Sequence, residues 1–203
     1  MIFKYPDKRL ARRHGPSGYR DYASYKPWLR DDFTFTCIFC LVRERWYPNG
    51  HAAFSVEHLA PKVLGQSVLD YDNLLYSCLQ CNSLKRALTG ILDPCKEGYG
   101  AHIVIHDDGA AFATTKRGSI LIDTFRLNDG QRVRFRREFL EQFEFLSRTS
   151  HDLKARALFS SFFGFPRDLP DLRKNKPPKN SRPHGVNTCY FVQRELGLLP
   201  GTY

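Results

Sequence analysis

The chain has 203 residues, enough for one domain with extensions, and its 42% hydrophobic and 14% aromatic content excludes a wholly disordered chain. With 31 Lys and Arg against 21 Asp and Glu it carries a formal charge of +10 and a pI near 9.4, which favours a polyanionic partner, nucleic acid ahead of a membrane surface. No run approaches the roughly 20 apolar residues of a membrane span and no charged-then-apolar leader is present, so the expected setting is cytoplasmic and reducing.

Residues 1–32 read as a basic and aromatic arm. The first 30 hold eight basic residues, Arg12 and Arg13 among them, against Asp7 and Asp21, with Tyr5, Tyr19, Tyr22, Tyr25 and Trp28 interleaved. Such an arm neutralises phosphates and stacks on bases, or its aromatics pack back on the body, as the near-helical spacing of Tyr22, Tyr25 and Trp28 allows. Residues 33–92 form a cysteine-rich module. In the extension, 93–203, the runs His102 to His106, Ala111 to Thr115 and Ile120 to Ile122 predict a small antiparallel sheet, with turns at Asp107-Asp108-Gly109 and Lys116-Arg117-Gly118. Phe139, Phe143 and Leu146 then set a helical period. Leu153, Ala157, Leu158 and Phe162 continue it in a second helix, which Ser150 is placed to cap and Gly164 and Pro166 to stop. Within the first, Arg132 to Arg137 puts four positive charges in six residues. This is a phosphate-contacting stripe including Arg134 and Arg136, extended by Lys116 and Arg117, or a solvated helix face. Residues 170–184, with four prolines, five basic residues and one acid, predict an irregular basic loop. The apolar tail after Cys189 is expected to dock on the body.

Chemistry concentrates in the module. Cys37 and Cys40, and Cys78 and Cys81, make two C-x-x-C pairs separated by 37 residues, where about 15–20 is usual. Four thiolates around Zn²⁺ give a closed structural site that staples the two ends of the intervening segment. Cys95 and Cys189 have no such partner and read as ordinary thiols. Inside the segment a strand through Ala53 to Val56 ends in Glu57 and His58. Asn73 precedes the apolar run Leu74-Leu75-Tyr76, and Cys81-Asn82 is expected to open a helix through Leu88. Adjacent strand residues point to opposite faces, so Glu57 and His58 reach one site only if the strand ends or bends there. His51 orients that site or lies half-exposed on a strand. His102 and His106 share a strand face and read as structural, and His14, His151 and His184 carry no signal.

Glu57-His58, Asn73 and the Cys-x-x-Cys-Asn ending resemble the HNH endonucleases, and the four-cysteine form is most similar to junction-resolving phage endonucleases. The match covers about Phe33 to Arg86. The resemblance implies an α+β chain with a ββα-metal core and structural zinc, followed by the sheet and the C-terminal helices. It implies hydrolysis of phosphodiester bonds, DNA favoured over RNA. His58 would be the general base, Glu57 and Asn82 the ligands of one Mg²⁺ or Mn²⁺, and Asn73 a brace for the loop that carries His58. Lys62 and Lys85, with Arg86, lie close enough in sequence to contact phosphates on either side, or the two lysines are ordinary solvated ones. Two features depart from the commoner pattern: Glu57 stands where Asp is usual, and Asn82 replaces the final His. Asn82 is also a favoured helix N-cap. Competing readings are a zinc-stabilised nucleic-acid-binding module with a vestigial site, and a nuclease subunit controlled by an ATPase or sensor partner. Double-strand cleavage from a single site would favour a homodimer.

Overall fold

The computed structural model describes residues 2–61, 68–149 and 151–203. In chain order these form strand β1 (Pro16–Ser17), helix α1 (Lys26–Asp32), strands β2 (Phe54–His58) and β3 (Leu74–Cys78), helix α2 (Leu79–Lys85), strands β4 (Ile103–Ile105) and β5 (Ala111–Ala113), helices α3 (Lys116–Thr124), α4 (Gly130–Arg148) and α5 (Leu153–Phe163), strand β6 (Lys179–Asn180) and helix α6 (Tyr190–Glu195). The class is α+β, with small antiparallel sheets ordered β1–β6, β2–β3 and β4–β5. No helix among the described residues is long and apolar enough to cross a membrane.

β2 and β3 sit at the centre. They pair antiparallel with Phe54 opposite Cys78, Val56 opposite Tyr76 and His58 opposite Leu74. Every residue of β3 is buried, which explains its unbroken apolar text. Phe54 stacks on Tyr76 diagonally across the ladder at 5.1 Å, the kind of cross-strand pair that stabilises a short sheet. β3 runs straight into α2 because Cys78 caps that helix, its Sγ accepting from the Cys81 amide at 3.5 Å. The helix therefore starts at Leu79, ahead of the expected start at Cys81-Asn82. It stops at Arg86, whose φ of +48° breaks the helical path. The expected continuation through Leu88 does not form.

The N-terminal segment is not a free arm. Phe3, Tyr5, Tyr25, Trp28 and Leu29 are buried in the same apolar cluster as Phe39, Tyr76, Phe125 and Phe163, and Tyr5 donates its hydroxyl to the Phe39 carbonyl. Its aromatics pack back on the body.

The sheet expected over 102–122 has two strands, not three. The text Lys116 to Ile122, expected as a turn and a strand, is α3. Thr115 starts it by accepting from the Gly118 amide, and Leu121 and Ile122 turn inward while Ile120 is 49% exposed. A short apolar run carries no period to separate strand from helix; the cap decides. α4 and α5 form as expected and pack through Phe143 against Phe159 and Phe163, at 5.4 and 5.1 Å. Asp152 caps α5; the expected cap Ser150 lies outside the described residues. Gly164 ends α5. The segment 170–184 is more ordered than a loop, since β6 pairs with β1 in the register Ser17 opposite Lys179. Of the closing segment, Tyr190 and Leu199 pack on Phe35 and Phe165, whereas Leu196 and Leu198 remain 64% and 67% exposed.

Candidate metal centre and strand–helix site

The first C-x-x-C forms a tight knuckle. Leu41 takes a φ of +61°, Cys37 donates its amide to Val42, and Ile38 donates to Tyr76 on β3. The second pair straddles the junction of β3 and α2. The four sulfurs are buried and all lie within 4.8 Å of one another, with Cys40 and Cys78 Sγ 3.7 Å apart. Tetrahedral zinc with Zn–S bonds of about 2.3 Å requires sulfurs about 3.8 Å apart, so the cluster can hold a metal ion such as zinc. Burial pushes the Cys37 thiol well above its ordinary value, and its hydrogen bonds with the other three sulfurs add to this. A bound cation removes that penalty by replacing the protons.

Arg132 on α4 completes this centre. Its Nη1 and Nη2 each lie 3.8 Å from Cys81 Sγ, and its Nε is buried with no hydrogen-bond partner. Burial lowers the guanidinium, but the neighbouring thiolates of Cys81 and Cys40 outweigh it and hold it above its ordinary value. The sequence gives no warning of this role, because Arg132 stands in a run of four arginines. Only the phase of α4 separates them.

β2 and α2 face each other through two rungs. Asn82 donates Nδ2 to Ser55 Oγ at 2.6 Å, and Lys85 Nζ lies 3.3 Å from Glu57 Oε1. Ser55 and Glu57 are two apart on a strand, and Asn82 and Lys85 are one helical turn apart, so each pair shares a face. Asn82 is thus mid-helix and does not serve as the N-cap. Lys85 is fully buried and is not available to a phosphate, against expectation. The last turn of the helix points it inward.

His58 ends β2 and is 7% exposed. Its Nε2 lies 3.0 Å from the Val68 carbonyl and its ring meets Tyr22 edge-on at 5.0 Å. A carbonyl only accepts, so Nε2 carries the proton and the basic lone pair of the neutral ring lies on Nδ1. The Glu57 carboxylate folds back to accept from the His58 amide at 3.0 Å. Asn73 pins the next stretch of chain: its Oδ1 accepts from the Ala60 amide, its Nδ2 donates to the Ala60 carbonyl, and its own carbonyl accepts from Leu59.

The other basic candidates divide. The Arg12 side chain is only 4% exposed; it donates to the Leu74 carbonyl and lies over the rings of Phe33 and Tyr71. Arg13 pairs with buried Asp31 at 2.5 Å. Arg136 is buried and donates to the carbonyls of Gly109 and Leu127. These three hold the fold and are not free for a phosphate, because each meets backbone or carboxylate oxygen on another segment. Arg117 pairs with Glu97. Arg86 and Arg134 are exposed. Lys62 lies outside the described residues. His51 is 45% exposed, 3.6 Å from Asp168.

A second buried centre was invisible in the sequence. His14, fully buried, places Nε2 2.8 Å from Asp31 Oδ1, while Asp31 Oδ2 accepts from the Tyr190 amide and Asp32 Oδ2 accepts from the Tyr71 hydroxyl. Burial pushes the Asp32 carboxyl above its ordinary value. Behind β3, Arg30 grips Glu44 with two hydrogen bonds of 2.9 and 2.8 Å, and Tyr76 donates to the same carboxylate. These partners lie up to 159 residues apart in the chain, beyond any local pattern. The chain matches no protein-family model, no curated protein and no solved structure.

Proposed function

We propose that the protein is a metal-dependent endonuclease of the HNH type that hydrolyses phosphodiester bonds in nucleic acid, DNA favoured. One observation carries this reading: an antiparallel pair, β2 and β3, runs without a loop into α2 at a four-cysteine cluster, with Glu57 and His58 at the end of β2 and Asn73 bracing the chain beyond them. In this reading the zinc is structural and sets the strand–helix angle. His58 takes the proton of the attacking water at Nδ1, and the Val68 carbonyl fixes the tautomer that permits it. Asn73 holds the loop, and with it His58, at a constant distance from β3.

Glu57 offers a carboxylate, and Asn82, whose Nδ2 is committed to Ser55, has its amide oxygen as the donor for a cation. That oxygen donor set fits Mg²⁺ or Mn²⁺ rather than a second zinc. A bound ion of this kind would supply the charge that polarises the scissile phosphate and stabilises the leaving oxygen. A second reading, a zinc-stabilised nucleic-acid-binding module with a vestigial site, is favoured by the Lys85 ammonium already seated at Glu57. Manganese binding followed by electron paramagnetic resonance, alongside plasmid cleavage, separates the two. The nuclease binds Mn²⁺ and cuts, and Glu57→Gln loses both while keeping its zinc. Zinc-loaded protein that binds DNA but takes up no Mn²⁺ belongs to the second reading.

A further inference from the structure

Two segments of the sequence, 8–20 and 172–184, each hold five Lys or Arg and no acid. The fold lays them edge to edge. Pro16 pairs with Asn180 and Ser17 with Lys179, Ser181 donates its amide to Gly15 at 2.9 Å, and Arg182 donates to the His14 carbonyl at 2.6 Å. The approach is close enough that a Cβ on Gly15 would fall 2.1 Å from Ser181 Oγ. Five of the ten cations are committed: Arg12 and Arg13 as above, Arg173 and Lys174 to Asp171, and Arg182 to Asp72. The other five, Lys8, Arg9, Arg20, Lys176 and Lys179, are exposed and have no ion-pair partner among the described residues. Neither segment contains an acid, and the neighbouring carboxylates Asp72 and Asp171 are already paired with Arg182 and with Arg173 and Lys174.

Its position adds direction. A cleft of about 690 Å³ lies beside this ribbon and reaches the chain after His58 at Leu59 and Ala60; its charged lining is Arg9, Arg12, Lys96 and Arg182 together with Asp70, Asp72 and Asp93. Tyr22, whose ring meets His58, follows Arg20 by two residues. We propose that the ribbon joining β1 and β6, with the cleft beside it, is the track along which the phosphodiester backbone of a nucleic-acid strand approaches His58. The choice of partner rests on the nuclease reading; the ribbon itself lies outside Phe33 to Arg86, the stretch that carries the resemblance.

The test is the binding of labelled single- and double-stranded oligonucleotides across a series of KCl concentrations, without added Mg²⁺ or Mn²⁺. Two triple variants lose the same charge: Arg20→Gln/Lys176→Gln/Lys179→Gln on the ribbon, and Arg134→Gln/Arg137→Gln/Lys154→Gln on the α4–α5 surface. Each phosphate contact contributes about 0.7–0.9 to the slope of log K against log salt. The ribbon variant is expected to lose about 2 to 3 of that slope, and the other variant to keep the wild-type value. Equal losses in both, or a larger loss on α4–α5, overturn the track. Cleavage by the same preparations keeps the two claims apart. Loss of affinity in the ribbon variant of a protein that never cuts retains the track and sinks the nuclease. A protein that cuts while its ribbon variant binds normally retains the nuclease and sinks the track.

Discussion

Lys85 carries a charge into a place water does not reach, and Glu57, 7% exposed, is the anion 3.3 Å away. Breaking such a pair from one side leaves an uncompensated buried charge, whereas replacing both partners by apolar groups is close to neutral. Lys85→Met alone should therefore lose about 3–5 kcal/mol in urea unfolding, and Lys85→Met/Glu57→Leu should recover most of it. A single variant as stable as wild type contradicts the pairing. The sequence shows Lys85 three residues after Asn82 but not the depth of the helix face, so a solvated lysine and a buried one read alike. Arg132 makes the same point at the metal centre. Outer contacts to metal ligands are typically worth 10–100-fold in affinity. Arg132→Met should thus release zinc to a chromogenic chelator about tenfold faster or more, with Arg134→Met, on the exposed face of α4, unchanged. Equal rates in the two variants would remove Arg132 from the centre.

The elements separate into those that carry their own period and those that do not. α4 and α5 are legible because their apolar residues repeat over several turns, and β2 as a short strand leading to Glu57 and His58; its pairing with the apolar run Leu74-Leu75-Tyr76 is implied only by the family resemblance. α3 is not legible, because Ile120-Leu121-Ile122 is too short to show a period, and the helix depends on the Thr115 cap and on Gly118 lying against His102. A Cβ at Gly118 would fall 2.0 Å from the His102 carbonyl oxygen. In an ordinary helix Gly→Ala stabilises by about 1 kcal/mol; here the overlap forces backbone apart, at a cost of about 1–3 kcal/mol. Gly118→Ala should lower the thermal midpoint, and a raised midpoint would contradict the packing of α3 on β4. The start of α2 was misplaced for a related reason. A cysteine that both joins a cluster able to hold metal and caps a helix lies outside the usual capping residues.

The protein as a whole is held by contacts that join distant parts of the chain. One apolar cluster takes residues from Phe3 to Cys189, and Asp31 receives hydrogen bonds from Arg13, His14 and the Tyr190 amide. Net charge and the two C-x-x-C pairs announce from the sequence a basic chain with a four-cysteine cluster able to hold a metal. The division of its cations between fold and surface is set only when the termini meet. That division commits Arg12, Arg13 and Arg136 to contacts within the fold and leaves Lys8, Arg9, Arg20, Lys176 and Lys179, on the two segments that β1 and β6 join, exposed. The most direct test of the nuclease itself is cleavage of supercoiled plasmid and single-stranded DNA with Mg²⁺ or Mn²⁺, by wild type and by His58→Ala, with zinc content measured in both. The expected result is cutting by wild type and a rate lowered by about 10²–10⁴-fold in His58→Ala, at equal zinc content. Equal cutting by the two proteins, or none by zinc-loaded wild type that binds DNA, would contradict the assignment of His58 as the base of a nuclease.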